Sequence, residues 1–153
     1  MSVTESLLVV HVLSVVLWIG GVAFVTTIVL PMLASWPAAQ RFAVFREIER
    51  RFGTEARVLV VAAGASGGAL LLRLRLIGLL FRPQGSWLDG MIGLWTLFAL
   101  LLFVAEPLFL HRKMTEMAQR DPSRAHTLLV RGHRLLLVLA VIVIIAGVWG
   151  ATG

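Results

Sequence analysis

The sequence contains no cysteine. That excludes a disulfide scaffold, a thiolate nucleophile, an iron–sulfur centre and a Cys-ligated zinc ion. Charge is scarce as well: Asp, Glu, Lys and Arg make up 14% of the 153 residues, where a soluble domain carries about 25%. With 59% apolar residues, the chain cannot clothe a water-facing surface. An ordinary soluble enzyme, a disordered tail and a secreted miniprotein are therefore excluded. No two histidines stand three or four apart on one helix, so no preorganised zinc site is expected. The five methionines are scattered, so a Met-rich copper ladder is lacking. There is no Gly-rich phosphate loop, no Ser-His-Asp arrangement, no internal repeat and no linker. The net charge of +6 would suit nucleic acid, but the basic residues sit between apolar runs. No nucleic-acid partner is expected, and the lipid bilayer is.

Four runs approach or exceed the roughly 20 apolar residues that cross a bilayer core, at about 7–30, 58–81, 88–110 and 133–151. They predict an all-α, integral membrane four-helix bundle forming one domain over residues 1–153. Four spans put both termini on one side. The connection 35–56 and its flank carry Arg41, Arg46, Arg50, Arg51 and Arg57. The connection 111–131 and its flank carry Arg112, Lys113, Arg120, Arg124, Arg131 and Arg134. Only Arg73, Arg75 and Arg82 stand on the other side. By the positive-inside rule both connections are cytoplasmic and both termini face outward, across the cytoplasmic membrane of a prokaryote. Glu5, not a basic region, precedes the first apolar run, so span one is expected to stay in the mature protein.

Pro37 suits a helix start and Gly53 a helix stop. Between them Phe42, Phe45, Ile48 and Phe52 recur at roughly helical spacing among Arg and Glu. This predicts an amphipathic interfacial helix between spans one and two, lying on anionic lipid. Asp121-Pro122 reads as a turn and helix restart, with Asp121 as N-cap.

Ionisable groups inside a membrane invite a functional question, and depth sorts them into two layers. The outer layer holds His11, with Trp18 seven residues on along the same face. Counting about 1.5 Å per residue places Arg73, Arg75 and Met91 at a similar level. The small residues Gly20, Gly21, Gly64, Gly67 and Gly68 form bare strips that a neighbouring helix or a flat ring can approach. An inward His beside such a strip suits a b-type haem, with Arg73 and Arg75 on its propionates. The same pattern suits a His hydrogen-bonded to a neighbouring helix, with glycines that serve packing and arginines that snorkel outward. The inner layer holds Glu106, Pro107, His111 and His133. Two histidines from facing helices could carry a second haem. Equally, Glu106 could pair with Arg57 or Arg134 while both histidines sit wet at the interface. Glu106 is the best candidate for proton transfer.

The stretch from His11 through Trp18 to Gly20-Gly21, ending in Leu30-Pro31, resembles the first helix of the copper-resistance protein D-like family. It also resembles that of the related J-type protoporphyrinogen oxidases. Phe45-Arg-Glu-Ile-Glu-Arg-Arg-Phe52 is similar to the segment before their second helix, and Gly85-Ser-Trp87-Leu88-Asp-Gly-Met91 to the start of their third. The resemblance implies a four-helix core and, in the oxidase branch, a b-type haem with His11 as ligand. Those oxidases carry Lys where Met91 stands, which argues against protoporphyrinogen oxidation. A thioether is a soft ligand for haem iron or Cu(I), so His11 and Met91 form a candidate metal pair. The expected function is a small haem b membrane protein for electron transfer. It would act as an oxidoreductase or relay with a quinone or a partner redox subunit, and could assemble as a homo-oligomer. The alternatives are a copper-binding or transport protein using His11 and Met91, and a haem-free accessory subunit of a larger membrane complex.

Overall fold

The computed structural model describes residues 1–152, and among them every regular element is helical. Four helices are long and apolar enough to cross a membrane: α1 (Val3–Leu33), α2 (Ala38–Arg73), α3 (Pro83–Arg120) and α4 (Pro122–Thr152). Their order and packing make the chain an all-α four-helix bundle suited to a bilayer. α1 packs along α2 and α3 along α4, and contacts of α2 with α3 and α4 close the arrangement.

Local chemistry sets the ends. Ser2 accepts from the Glu5 amide while the Glu5 carboxylate accepts from the Ser2 amide, a reciprocal cap that starts α1. α2 ends with Arg73 in its last turn, where a cation suits the helix dipole. The chain then turns at Arg75, whose φ of 57° is left-handed, and passes through the short 3-10 turn Leu76–Leu79. Asp89 reaches back from α3 to accept from the Phe81 amide and pins that turn. Asp121 accepts from the Arg124 amide at 2.9 Å and caps the last helix, as the Asp-Pro pair leads one to expect.

Two expectations from sequence change here. The second apolar run does not stay helical to Phe81, because the helix stops at Arg73. Gly53 does not stop a helix either: α2 runs unbroken from Ala38 to Arg73, with Gly53 buried inside it. A glycine in a helix interior costs only about 1 kcal/mol, and the helical pattern on both sides outweighs it. The amphipathic segment is thus the first half of α2. Phe45 is fully buried, and with Val44, Ile48 and Phe52 it packs on Val25, Val29, Leu30 and Leu33 of α1 and on Leu129 and Val130 of α4.

A second core cluster sits nearer the middle, where Trp18 stands edge-on to Phe98 at 4.8 Å among Ile19, Val22, Val60, Ala63 and Ala140. Many of the other apolar side chains point outward. Leu135, Val138, Ile142, Ile145 and Val148 form an exposed ridge along α4, the pattern of a lipid-facing helix.

Candidate functional site

His11 stands on α1 against α2. Its Nδ1 lies 2.9 Å from the Ala63 carbonyl oxygen and 3.4 Å from Ser66 Oγ. A carbonyl can only accept, so Nδ1 carries the hydrogen and a neutral ring keeps its lone pair on Nε2. Gly67 makes this seat: a Cβ there would lie 2.9 Å from His11 Cε1. The ring is half-buried.

Four other glycines are covered from within, while Gly20 and Gly68 meet nothing within 4 Å. Trp95 lies on Gly64 and donates its Nε1 to the Val60 carbonyl at 2.8 Å. Phe52 lies on Gly21, Met91 puts its methyl on Gly147, and Trp87 lies on Gly150. Trp18, two turns from His11, is 3% exposed, and its Nε1 has no hydrogen-bond partner among the described residues. A buried donor left unpaired costs about 1–3 kcal/mol.

The side chains expected around His11 lie apart in the structure. Met91 seats in the seam between α3 and α4, whereas His11 sits between α1 and α2. Arg73 lies six residues beyond Gly67, about 9 Å further along the helix, with its Nε 3.4 Å from Thr4 Oγ1. Arg75 is exposed beyond it. The register shifts because α1 and α2 pair antiparallel, with His11 opposite Ala63–Gly67 and Thr4 opposite Arg73.

At the basic end the structure assembles a second polar layer. Residues Leu101–Leu110 of α3 are π-helical, with Pro107 inside. In that register the missing Pro107 amide would have bonded the carbonyl five residues back, at Leu102. Arg57 fills the gap: its Nε lies 3.3 Å from the Leu102 oxygen, and its Nη2 donates to Glu106 Oε2 at 2.8 Å. One guanidinium therefore closes both the orphan carbonyl and the carboxylate. Glu106 takes Arg57, not Arg134, as its partner.

His111 and His133 part company. His111 is exposed, with the Arg46 guanidinium against its ring nitrogens. His133 donates its Nδ1–H to the Leu129 carbonyl on its own helix, and its ring stands edge-on to Phe45. Phe45 and Arg46 are neighbours on α2 and project about 100° apart, so the two rings flank different sides of it.

Beside Arg57 a polar pocket of about 250 Å³ opens, lined by Arg46, Arg50, Arg57, Thr54, the carboxylates of Glu49 and Glu106, and His111. Sequence reasoning passed over Arg46, Glu49, Arg50 and Thr54. Their spacing, with Arg57, follows one helix face, and that was the signal available. Glu49, before the apolar part of α2, has its carboxyl pushed above the usual range by burial and by nearby Glu106. Exposed Glu47 is held down to about 2 by hydrogen bonds from Arg50 and Arg51. No group of three or more His, Asp or Glu side chains converges to hold a metal ion among the described residues.

No family model, no curated protein and no solved structure matches this chain. The reading of the site rests on the residues themselves.

Proposed function

We propose that the chain is a small multi-pass membrane protein that carries electrons on a b-type haem held by His11, exchanging them with a quinone or a partner redox subunit. The observation that supports this is the fixed tautomer of His11. Haem iron takes a neutral imidazole nitrogen, and the other ring nitrogen of such a ligand characteristically donates to a carbonyl or carboxylate. The Ala63 carbonyl plays that part, and Gly67 makes room for the ring. The resemblance of the His11–Trp18–Gly20–Gly21 stretch to haem-bearing relatives of the copper-resistance D type points the same way.

The remaining residues divide in their fit. His11 fits as a ligand, and Arg73 and Arg75 lie further toward the termini, where guanidiniums would meet acidic substituents. Trp18 and Phe98 pack the floor beneath. Met91 does not fit as the partner ligand while its methyl occupies the Gly147 notch. The haem, when bound, supplies reversible one-electron transfer. The protein's part is to hold the imidazole's proton on Nδ1 and to exclude water with the Trp18 cluster. The basic end lies in the cytoplasm and the termini outside, because eleven of the fourteen Lys and Arg residues gather at the former.

A reduced-minus-oxidised visible spectrum of the detergent-purified protein, expressed with haem supplied, tests the reading. A b-type band that disappears in His11→Ala supports it, and His133→Ala, measured alongside, counts the haems. A colourless wild type removes the redox reading and turns attention to copper binding at His11 and to partner subunits.

A further inference from the structure

The pocket at the basic end has the donors of an anion site. Its lining sets three guanidiniums against two carboxylates. Arg57 is committed to Glu106 and Leu102, and Arg50 is drawn toward Glu47 outside the pocket. Arg46 forms no ion pair among the described residues, where the pairs engage Arg50, Arg51, Arg57 and Arg112. Its Nη1 instead touches both ring nitrogens of His111. In a neutral ring one of those nitrogens accepts from Arg46 and the other carries a hydrogen of its own. An oxyanion in the pocket beside them would accept from the guanidinium's remaining N–H groups and from the ring N–H. Thr54 adds a hydroxyl to the lining, and Glu49, its carboxyl pushed up by burial, opposes an anion less than a free carboxylate would.

We propose that this pocket binds a phosphate group, with the planar fork of Arg46 as its main ligand and His111 and Thr54 as further donors. The phosphate belongs either to a lipid headgroup or to a soluble phosphate compound. The inference is independent of the haem reading, and a colourless protein would leave it standing.

The test is thermal unfolding of the purified full-length protein in detergent at constant ionic strength. It is titrated separately with dioleoylphosphatidylglycerol, with dioleoylglycerol as the same lipid lacking phosphate, and with inorganic phosphate. A saturable rise in Tm with phosphatidylglycerol alone supports the proposal with a lipid source. A rise with inorganic phosphate as well supports it with a soluble source. In either case Arg46→Gln is expected to raise the half-saturating concentration at least tenfold. Arg51→Gln, which removes one charge from the same helix outside the pocket, should change it less than twofold. Should Arg46→Gln fail to fold, Arg46→Lys keeps the charge and loses the fork, and is expected to weaken binding severalfold. No saturable shift with either phosphate probe overturns the proposal. So does a response to dioleoylglycerol equal to that of phosphatidylglycerol, or equal weakening by the Arg46 and Arg51 variants.

Discussion

Two adjacent glycines on α2 have opposite surroundings, and the contrast isolates what holds His11. A Cβ at Gly67 would stand 2.9 Å from His11 Cε1 and 3.1 Å from Nδ1, whereas one at Gly68 would meet nothing within 4 Å. Gly67→Val should push the imidazole off the Ala63 carbonyl and cost about 1–3 kcal/mol from overpacking, with the lost hydrogen bond adding about 1 kcal/mol. Gly68→Ala should be neutral or stabilising by up to about 1 kcal/mol, because alanine is the better helix former. Unfolding in detergent measures both, and equal effects would remove the special role of Gly67. Glu49 offers a second residue-scale test. Its carboxyl is raised in the folded protein by burial, so the folded state binds its proton more tightly than the unfolded state does. Stability from this group is therefore full below the ordinary carboxylate range and falls as pH rises toward the elevated folded value. Glu49→Gln should raise Tm near pH 7, and the advantage should shrink at pH 4. An advantage that persists unchanged in acid would show that the carboxyl is not held neutral by its surroundings.

At the scale of an element, the π-helical stretch Leu101–Leu110 ties backbone geometry to a charge pair. The Leu102 carbonyl lacks an amide partner because residue 107 is proline, and Arg57 supplies the hydrogen. Arg57→Leu strips both that carbonyl and Glu106 of their partner, so it should destabilise by about 1–3 kcal/mol. Pro107→Ala returns an amide to the helix and should recover part of that loss in the double variant. A double-mutant cycle in detergent checks the coupling, and strict additivity would show that the two features are unrelated. The sequence already contained the pieces of this layer: Glu106 beside Pro107, with Arg57 named as a partner. Hidden was the choice between Arg57 and Arg134, which depends on how far each helix slides along its neighbour. The same sliding moved Arg73 away from His11. The apolar runs predicted four helices, but not that Phe52 and Trp95 would cover Gly21 and Gly64 of the glycine strips. A bare strip looks alike in sequence whether a cofactor or a distant aromatic side chain covers it. Gly53 was misleading for a related reason, since a stop signal yields when the helical pattern resumes beyond it.

The whole molecule is taller than the membrane it suits. α1 has 31 residues, about 46 Å of helix, against roughly 30 Å of hydrocarbon. At the basic end the Phe45 cluster and the Arg57–Glu106 pair bind the helices together. Burial is uneven across the bundle: 28% of the apolar window is buried in α1 and in α2, but only 6% in α4. α4 therefore offers its ridge to lipid or to another protein, while α1 and α2 form the rigid pair that carries His11. The charge distribution makes a prediction about which side the basic end faces. With eleven cationic residues gathered there, it should lie in the cytoplasm, and the termini should lie outside. The native absence of cysteine makes the arrangement testable by single-cysteine labelling. Ser35→Cys and Ser123→Cys mark exposed positions at the basic end, and Gln84→Cys and Thr152→Cys mark exposed positions at the other. A membrane-impermeant maleimide applied to intact bacterial spheroplasts should label the Gln84 and Thr152 variants. The Ser35 and Ser123 variants should react only after permeabilisation. The reverse pattern would invert the molecule and place His11 near the cytoplasmic face. Labelling of all four in intact spheroplasts would mean that the helices do not cross the bilayer.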